Sequence, residues 1–383
     1  MYKIHCLNKI SQVGLEILPE TYVQTDDMKE SHAILVRSAQ MHDLTLNPKT
    51  LAVARAGAGV NNIPLTGYAD TGVVVFNTPG ANANAVKELT IAGMFLASRN
   101  IYQGIQWVKE NQTDPEIKKT VEKVKSQFAG TEVLNKTLGI VGLGAIGIML
   151  ANAAAKLGMK VIGTKRNLDS LKNLDFHDNV TLVKTQAEVY EKADFVSLNL
   201  PLNDNTKHMV NEQVFNQMKD GVIILNFARD QLVNDDDLEK ALQSQKVRAY
   251  VTDFPNAKTA QMAGVIPIPH LGASTEEAED NCAMMAAAQI QNYLEIGTIK
   301  NSVNYPDIAL DNKTVPYRFQ FLIGGSEDEF TTLKGNILAF FKEDNTHTDA
   351  FYNNYGVFVV DTKENVDLNL FNDLKGIKRI RLL

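Results

Sequence analysis

The sequence predicts an α/β protein: two doubly wound parallel-sheet domains, the first of them discontinuous, followed by a small C-terminal α+β domain. Three observations predict it. Through the middle of the chain, short apolar runs alternate with helical stretches, and the runs are apolar on both faces, as strands are when helices cover a parallel sheet. The first 80 residues repeat this grammar on a smaller scale. In the last 70 residues aromatics thicken and strands dominate.

The elements follow in order. AILVRSA (33–39), LAVARAGAG (51–59) and GVVVFNTPG (72–80) read as strands of the first domain. Two long apolar helices flank the central block, over 83–100 and 276–297; if both cross between lobes, the first domain is completed by a return segment from 271. The charged stretch 109–130 reads as a solvated helix and linker. KTLGIVGL (136–143) is a strand, AIGIMLANAAAKLG (145–158) a helix closing at Gly158, and KVIGTK (160–165) the next strand. Strands follow at 194–200, 221–228 and 248–254. Between the last two lies a helix at 234–245, whose Asn234 and three aspartates cap and charge its first turn. In the tail, strands at 317–325, 355–362 and 377–383 with helices at 328–343 and 366–375 fit a β-α-β-β-α-β unit.

Composition narrows the class. A chain of 383 residues with 44% hydrophobic content has material for two or three domain cores. A net charge of −7 without a long basic run argues against a nucleic-acid partner. Cys6 and Cys282 form neither a disulfide framework nor a metal-ligand spacing, so no metal is expected and the compartment reads as reducing. The opening MYKIHCLNKI lacks a secretory apolar stretch, and no run reaches the roughly 18 uncharged apolar residues of a membrane span. A cytoplasmic protein without a membrane partner is expected.

Gly142-x-Gly144-x-x-Gly147 sits after a strand and opens a helix, the context in which this pattern marks a Rossmann-like dinucleotide site. The first glycine permits the tight turn, the second lets a pyrophosphate approach, and the third lets helix and strand pack closely. The N–H groups of Ala145 and Ile146 would then receive the anion. About 20 residues on, where an acidic residue would hold the ribose hydroxyls of NAD, the chain reads Thr164-Lys165-Arg166-Asn167. The two cations either accommodate the 2′-phosphate of NADP or mark a weak ribose site. The expected cofactor is NAD or NADP.

Two catalytic candidates stand at strand ends, where doubly wound sheets bind ligands. Arg229 follows the strand at 221–228, and His270 lies between a proline-bounded strand and a helix start. Arg229 can clamp a carboxylate bidentately, or serve as a surface salt-bridge partner. His270 can exchange a proton with a hydroxyl, or be a structural histidine.

With these residues in place, an ordered series of motifs resembles the D-isomer-specific 2-hydroxyacid dehydrogenases. The series includes Val36-Arg37-Ser38, ARAGAGVNNI (54–63), NTPGANANAVKE (77–88), GIVGLGAIG (139–147), NLPLNDNTKHM (199–209), NFARDQLV (226–233), DFP (253–255), PHLGASTEEAE (269–279) and GTIKNSVNYP (297–306). It covers residues 1 to about 306.

The resemblance implies a substrate-binding domain at 1–85 and 271–306, a dinucleotide-binding domain at 86–270 and an ACT-like domain at 313–383. It implies that Arg229 holds the substrate carboxylate and His270 is the acid–base. Asp253 would face the nicotinamide, with Pro201, Phe227, Ala228 and Gly272 also on the cofactor side. Ala58, Gly59 and Val60 would offer N–H groups to the carboxylate, with Ser38 and Asn82 nearby, and Arg37 and Lys125 would meet a substrate phosphate. The implied substrate is a phosphorylated 2-hydroxy acid, 3-phosphoglycerate going to 3-phosphohydroxypyruvate on the way to serine. The alternatives are another D-2-hydroxy acid or a non-catalytic dinucleotide sensor. A homodimer or higher homo-oligomer is expected.

Three departures stand out. The first is Lys165-Arg166. The second is Lys258, which occupies the place of the family glutamate that supports the catalytic histidine; no Asp or Glu lies between Asp253 and His270. A cation there would disfavour protonation of His270. The third is GGSEDEFTTL (324–333), which lacks the Asn-x-Pro-Gly turn of an ACT effector site.

Overall fold

The computed structural model describes every residue except Glu343, and the chain divides into two compact units: Met1–Asn82 with Glu276–Leu383, and Ala83–Thr275.

The first unit holds a parallel sheet of β1 (Tyr2–Cys6), β2 (Tyr22–Gln24), β3 (Ala33–Val36), β4 (Ala52–Arg55) and β5 (Val74–Phe76), in the order β2-β1-β3-β4-β5. The short helices α1 (Gln12–Glu16) and α2 (Leu65–Asp70) connect them. Alternate residues of β3 enter different cores. Ala33 and Leu35 join Ile4 and Phe76 on one face; Ile34 and Val36 join Val53 and Val75 on the other. Burial of both faces is why these runs are continuously apolar. The strands expected over 51–59 and 72–80 are shorter, ending at Arg55 and Phe76. β1 and β2 were not foreseen: most of their residues are only half-buried, so their apolar signature is weak.

The second unit begins with α3 (Ala83–Ser98), α4 (Ile101–Glu110) and α5 (Ile117–Val124). Asn100 adopts a left-handed φ of 50° and ends the helix expected over 83–100. The charged helix expected over 109–130 is broken before Pro115 and resumes as α5, followed by a 3-10 turn at Lys125–Phe128. Then come β6 (Thr137–Val141), α6 (Ala145–Lys156), β7 (Lys160–Thr164), β8 (Val180–Leu182), α7 (Gln186–Lys192), β9 (Phe195–Leu198), α8 (Glu212–Gln217), β10 (Val222–Asn226), α9 (Asp235–Gln243), β11 (Val247–Thr252) and β12 (Val265–Pro267). The seven strands are parallel, in the order β12-β11-β10-β9-β6-β7-β8. Strand order reverses at β6, which pairs with β7 on one side and β9 on the other, so the crevice beyond its carboxyl end is the ligand position of this topology.

The chain re-enters the first unit with α10 (Glu276–Ile296), then β13 (Tyr317–Gly324), α11 (Glu327–Leu338), β14 (Thr346–Tyr352), β15 (Tyr355–Thr362) and β16 (Ile377–Leu382). Asn353 and Asn354, both at positive φ, make the two-residue turn of the β14–β15 hairpin. The antiparallel order β14-β15-β13-β16 is that of the split βαβ unit. Two expected helices differ. The one at 328–343 ends at Leu338, its expected last residue lying outside the described residues, and the one at 366–375 is a single 3-10 turn, Leu368–Phe371. One face of this sheet packs Phe319, Phe321 and Phe358 on α11; the other sends Leu322, Val357 and Val359 into the core shared with Ile4, Tyr293 and Leu294. Among the described residues no helix is long and apolar enough to cross a membrane.

Candidate active site

The glycine loop is built by backbone constraint. Gly142, at φ 106°, turns the chain out of β6 in a conformation open to glycine. A Cβ there would strike the Asn199 carbonyl, and one at Gly147 would strike the carbonyl of Gly142, so α6 sits hard against the end of β6. Gly144 differs. It is the N-cap of α6, no side chain caps the helix, and nothing lies within 4 Å of where its Cβ would stand. Ala145 is exposed and Ile146 half-buried at this open end. Unused N–H groups with room before them fit the pyrophosphate of a dinucleotide. The Thr164 carbonyl accepts from Gly142 and Leu143 at 3.1 Å each, tying the loop to the end of β7. Lys165 and Arg166 follow at once, half-buried and exposed, and neither makes an ion pair among the described residues. Pro201 is exposed beyond β9, its carbonyl bonded by Thr206 Oγ1 at 2.7 Å.

Arg229 leaves β10 over a polar hub that sequence reasoning missed. Asn226, fully buried, accepts at Oδ1 from the N–H groups of Ala228 (3.2 Å) and Arg229 (3.4 Å). Its Nδ2 donates to the Arg229 carbonyl and to the Tyr250 hydroxyl, both at 2.8 Å. The signal was present: one amide closing the apolar run VIILN. Arg229 Nη1 donates to the Ala228 carbonyl at 2.6 Å, and no carboxylate pairs with this guanidinium among the described residues. The guanidinium lies 5.4 Å from the ring centre of Phe254, which in turn lies 4.4 Å from the His270 ring. Arg229, Phe254 and the exposed His270 thus form a column at the carboxyl ends of β10, β11 and β12.

Asp253, at the end of β11, is 1% exposed. Its Oδ2 accepts the Gly272 N–H at 2.8 Å; its Oδ1 is buried without a hydrogen-bond partner among the described residues. Burial pushes its carboxyl above the ordinary range, opposed by the Gly272 N–H and the charges of His270 and Arg229.

One expectation, that of Lys258, needs correction, and two further residues are placed by the fold. Phe227, expected on the cofactor side, buries its side chain in the core on the α3 side, where a Cβ at Gly93 would meet it at 2.8 Å. Ala228 is half-buried on the opposite side. Lys258 does not bear on His270: its ammonium bonds Asp236 and Glu239 of α9, which raise its pKa. Lys125 is exposed on the surface turn after α5 and pairs with Glu122.

In the first unit, Arg37 leaves β3 and pairs with Glu279 of α10 at 2.7 Å. The N–H groups of Arg37, Ser38 and Ala39 all bond Asn8 Oδ1. Ala58, Gly59 and Val60 form the loop after β4, held by Asn77 Nδ2 on the Ala58 carbonyl at 2.6 Å. Asn82 is half-buried at the end of this segment, just before α3.

Residues 91–272 match the family model described as D-isomer specific 2-hydroxyacid dehydrogenase, NAD binding domain. The chain is 33% identical over 303 residues to a D-3-phosphoglycerate dehydrogenase of Methanocaldococcus jannaschii, covering 76% of this chain and 56% of that protein. It is 34% identical over 283 residues to a hydroxypyruvate reductase of Thermotoga maritima, covering 69% of this chain and 86% of that one. Among solved structures, the NAD+-bound 3-phosphoglycerate dehydrogenase of Entamoeba histolytica matches with a TM-score of 0.62 and 25% identity, over 79% of this chain and 98% of that chain. The chain spans a little over half the length of the curated D-3-phosphoglycerate dehydrogenases it matches.

Proposed function

The chain belongs to the D-isomer-specific 2-hydroxyacid dehydrogenases, and from that premise we propose that it interconverts a 2-hydroxy acid and its 2-keto acid, with 3-phosphoglycerate and 3-phosphohydroxypyruvate as the pair. The observation that carries the reading is the column of Arg229, Phe254 and His270 in the same unit as a glycine loop open to a dinucleotide. NAD or NADP supplies the hydride acceptor, held by the N-terminus of α6 and the ends of β7 and β9. Arg229, its fork not neutralised by a carboxylate among the described residues, binds the substrate carboxylate in two parallel hydrogen bonds. His270, exposed beside it, takes the hydroxyl proton in oxidation and returns it in reduction. Phe254 keeps the two functional side chains at a fixed spacing. The C-terminal sheet is read as an ACT-like module, and the assembly as a homodimer or larger homo-oligomer.

A second reading is favoured by one contact. Arg37, expected to meet the substrate phosphate, is paired with Glu279, which suits an unphosphorylated acid such as hydroxypyruvate. Steady-state reduction of phosphohydroxypyruvate and hydroxypyruvate, each with NADH and NADPH, separates the two. Turnover with neither acid and neither cofactor, alongside retained cofactor binding, would overturn both in favour of a dinucleotide sensor.

A further inference from the structure

We propose that the buried hydroxyl of Tyr250 is a positioning group for the reaction, tying Arg229 to Phe254 from within the sheet; the inference rests on the dehydrogenase reading above. Tyr250 lies in β11, buried in the core that also holds Ile224 and Val247. The ring belongs in that core, and its hydroxyl needs partners there. It accepts from Asn226 Nδ2 at 2.8 Å, and the same Nδ2 donates to the Arg229 carbonyl at 2.8 Å. Asn226 Oδ1 accepts the Arg229 N–H at 3.4 Å. On its other side the Tyr250 hydroxyl reaches the Thr252 side chain, on the same face of β11. Thr252 Oγ1 in turn accepts the Phe254 N–H at 3.0 Å.

These contacts make one buried path. It starts at the backbone of Arg229, passes through Asn226, Tyr250 and Thr252, and ends at the backbone of Phe254. The two residues it joins have side chains 5.4 Å apart, and the Phe254 ring lies 4.4 Å from that of His270. Strand pairing does not set that spacing, because the β10–β11 ladder ends at the pair Asn226 and Thr252. Arg229 and Phe254 lie beyond it, and the three side chains carry the register onward. All three are buried, so the path is closed to bulk solvent. A satisfied network in a low-dielectric interior rigidifies what it joins. A phenylalanine would fill the core here equally well; only the hydroxyl completes the path. Arg229 and His270 must meet adjacent groups of one substrate, and an error of about 1 Å in such a column is paid in rate.

The test compares Tyr250→Phe with Tyr190→Phe in the full chain. Tyr190 is a second buried tyrosine of the same core, its hydroxyl on Gln186 and off the path. In Tyr250→Phe, kcat/KM for the keto acid should fall about tenfold or more, while cofactor Kd stays within about twofold. Tyr190→Phe should change neither. An equal fall in both variants, or none in Tyr250→Phe, overturns the proposal. A second readout needs neither substrate nor cofactor. The His270 ring protons feel the Phe254 ring and are followed by NMR, with His270 identified by its absence from His270→Gln. Their shift should move in Tyr250→Phe and stay in place in Tyr190→Phe; a shift unmoved by Tyr250→Phe overturns the proposal. If that variant does not fold, Thr252→Val cuts the path at its Phe254 end and should move the same signals. No movement there overturns the proposal equally. The NMR readout holds with or without turnover, so failure of the dehydrogenase reading and failure of the Tyr250 role are seen separately.

Discussion

Arg229 and Asp253 show what single side chains contribute. Arg229 rests on Asn226 and Phe254, with its fork free of carboxylates among the described residues, so shape as well as charge is at stake. Arg229→Lys keeps the charge and loses the fork. Substrate KM should rise at least tenfold while cofactor Kd stays within about twofold, as read by initial rates and cofactor titration; equal loss of both would assign Arg229 a structural role. Asp253 carries a stability signature. Burial raises the pH at which it ionises, so the folded state binds its proton more tightly than the unfolded chain does. Its contribution is therefore complete below the ordinary aspartate range and declines as pH rises through the raised value. Asp253→Asn removes that decline. The variant should gain stability relative to wild type as pH rises above the ordinary aspartate range, by denaturant midpoint, while losing activity. A gap between the two proteins that is constant with pH would show that the carboxylate is not strained by burial.

Strand ends and helix starts do the positioning. β6, the glycine turn and α6 make one device: close approach at Gly142 and Gly147, open space at Gly144. The end of β7 makes the second, where Thr164 is bonded to the loop and Lys165 and Arg166 have no ion-pair partner among the described residues. Lys165→Asp places a carboxylate that accepts ribose hydroxyls and repels a 2′-phosphate. The ratio of kcat/KM for NADH over NADPH should rise by about tenfold or more. An unchanged ratio would mean that this end of β7 does not read the ribose.

The C-terminal sheet is part of the first unit's core and not an appended bead. Arg381, 6% exposed, donates to the carbonyls of Tyr293 and Leu294 near the end of α10 and to Gln320 Oε1, with its guanidinium 4.1 Å from the Tyr293 ring centre. Arg318 forks onto Asp361 and reaches the Ile296 carbonyl. Arg381→Met keeps the stem and leaves buried Gln320 Oε1 without its donor, while the Tyr293 and Leu294 carbonyls keep the Gly297 N–H and the Tyr2 hydroxyl. The cost should be about 2 kcal/mol or more, measured by urea unfolding with an unchanged slope. Loss below about 0.5 kcal/mol would show that water replaces the arginine and that the sheet docks through Leu322, Val357 and Val359 alone.

Much of this was legible in the chain, because the signals are local. Continuous apolar runs gave the strands of both parallel sheets except β1, β2 and β8, and the glycine spacing gave the turn into α6, since steric limits on backbone act within a few residues. Arg229 and His270 were placed at strand ends for the same reason. Even the burial of Phe227 was available, since it continues the face of Ile223 and Leu225 in a period of two. Other features needed the folded chain. The segment 254–264 has no periodicity, so only the fold turns Lys258 towards the acids of α9 and brings Asp253 to the Gly272 N–H. The hub at Asn226 joins β10 to Tyr250 on β11, and the seating of Arg381 joins residues 88 positions apart. Periodicity records which face of an element is apolar; which distant polar group satisfies a buried one is fixed when the elements meet.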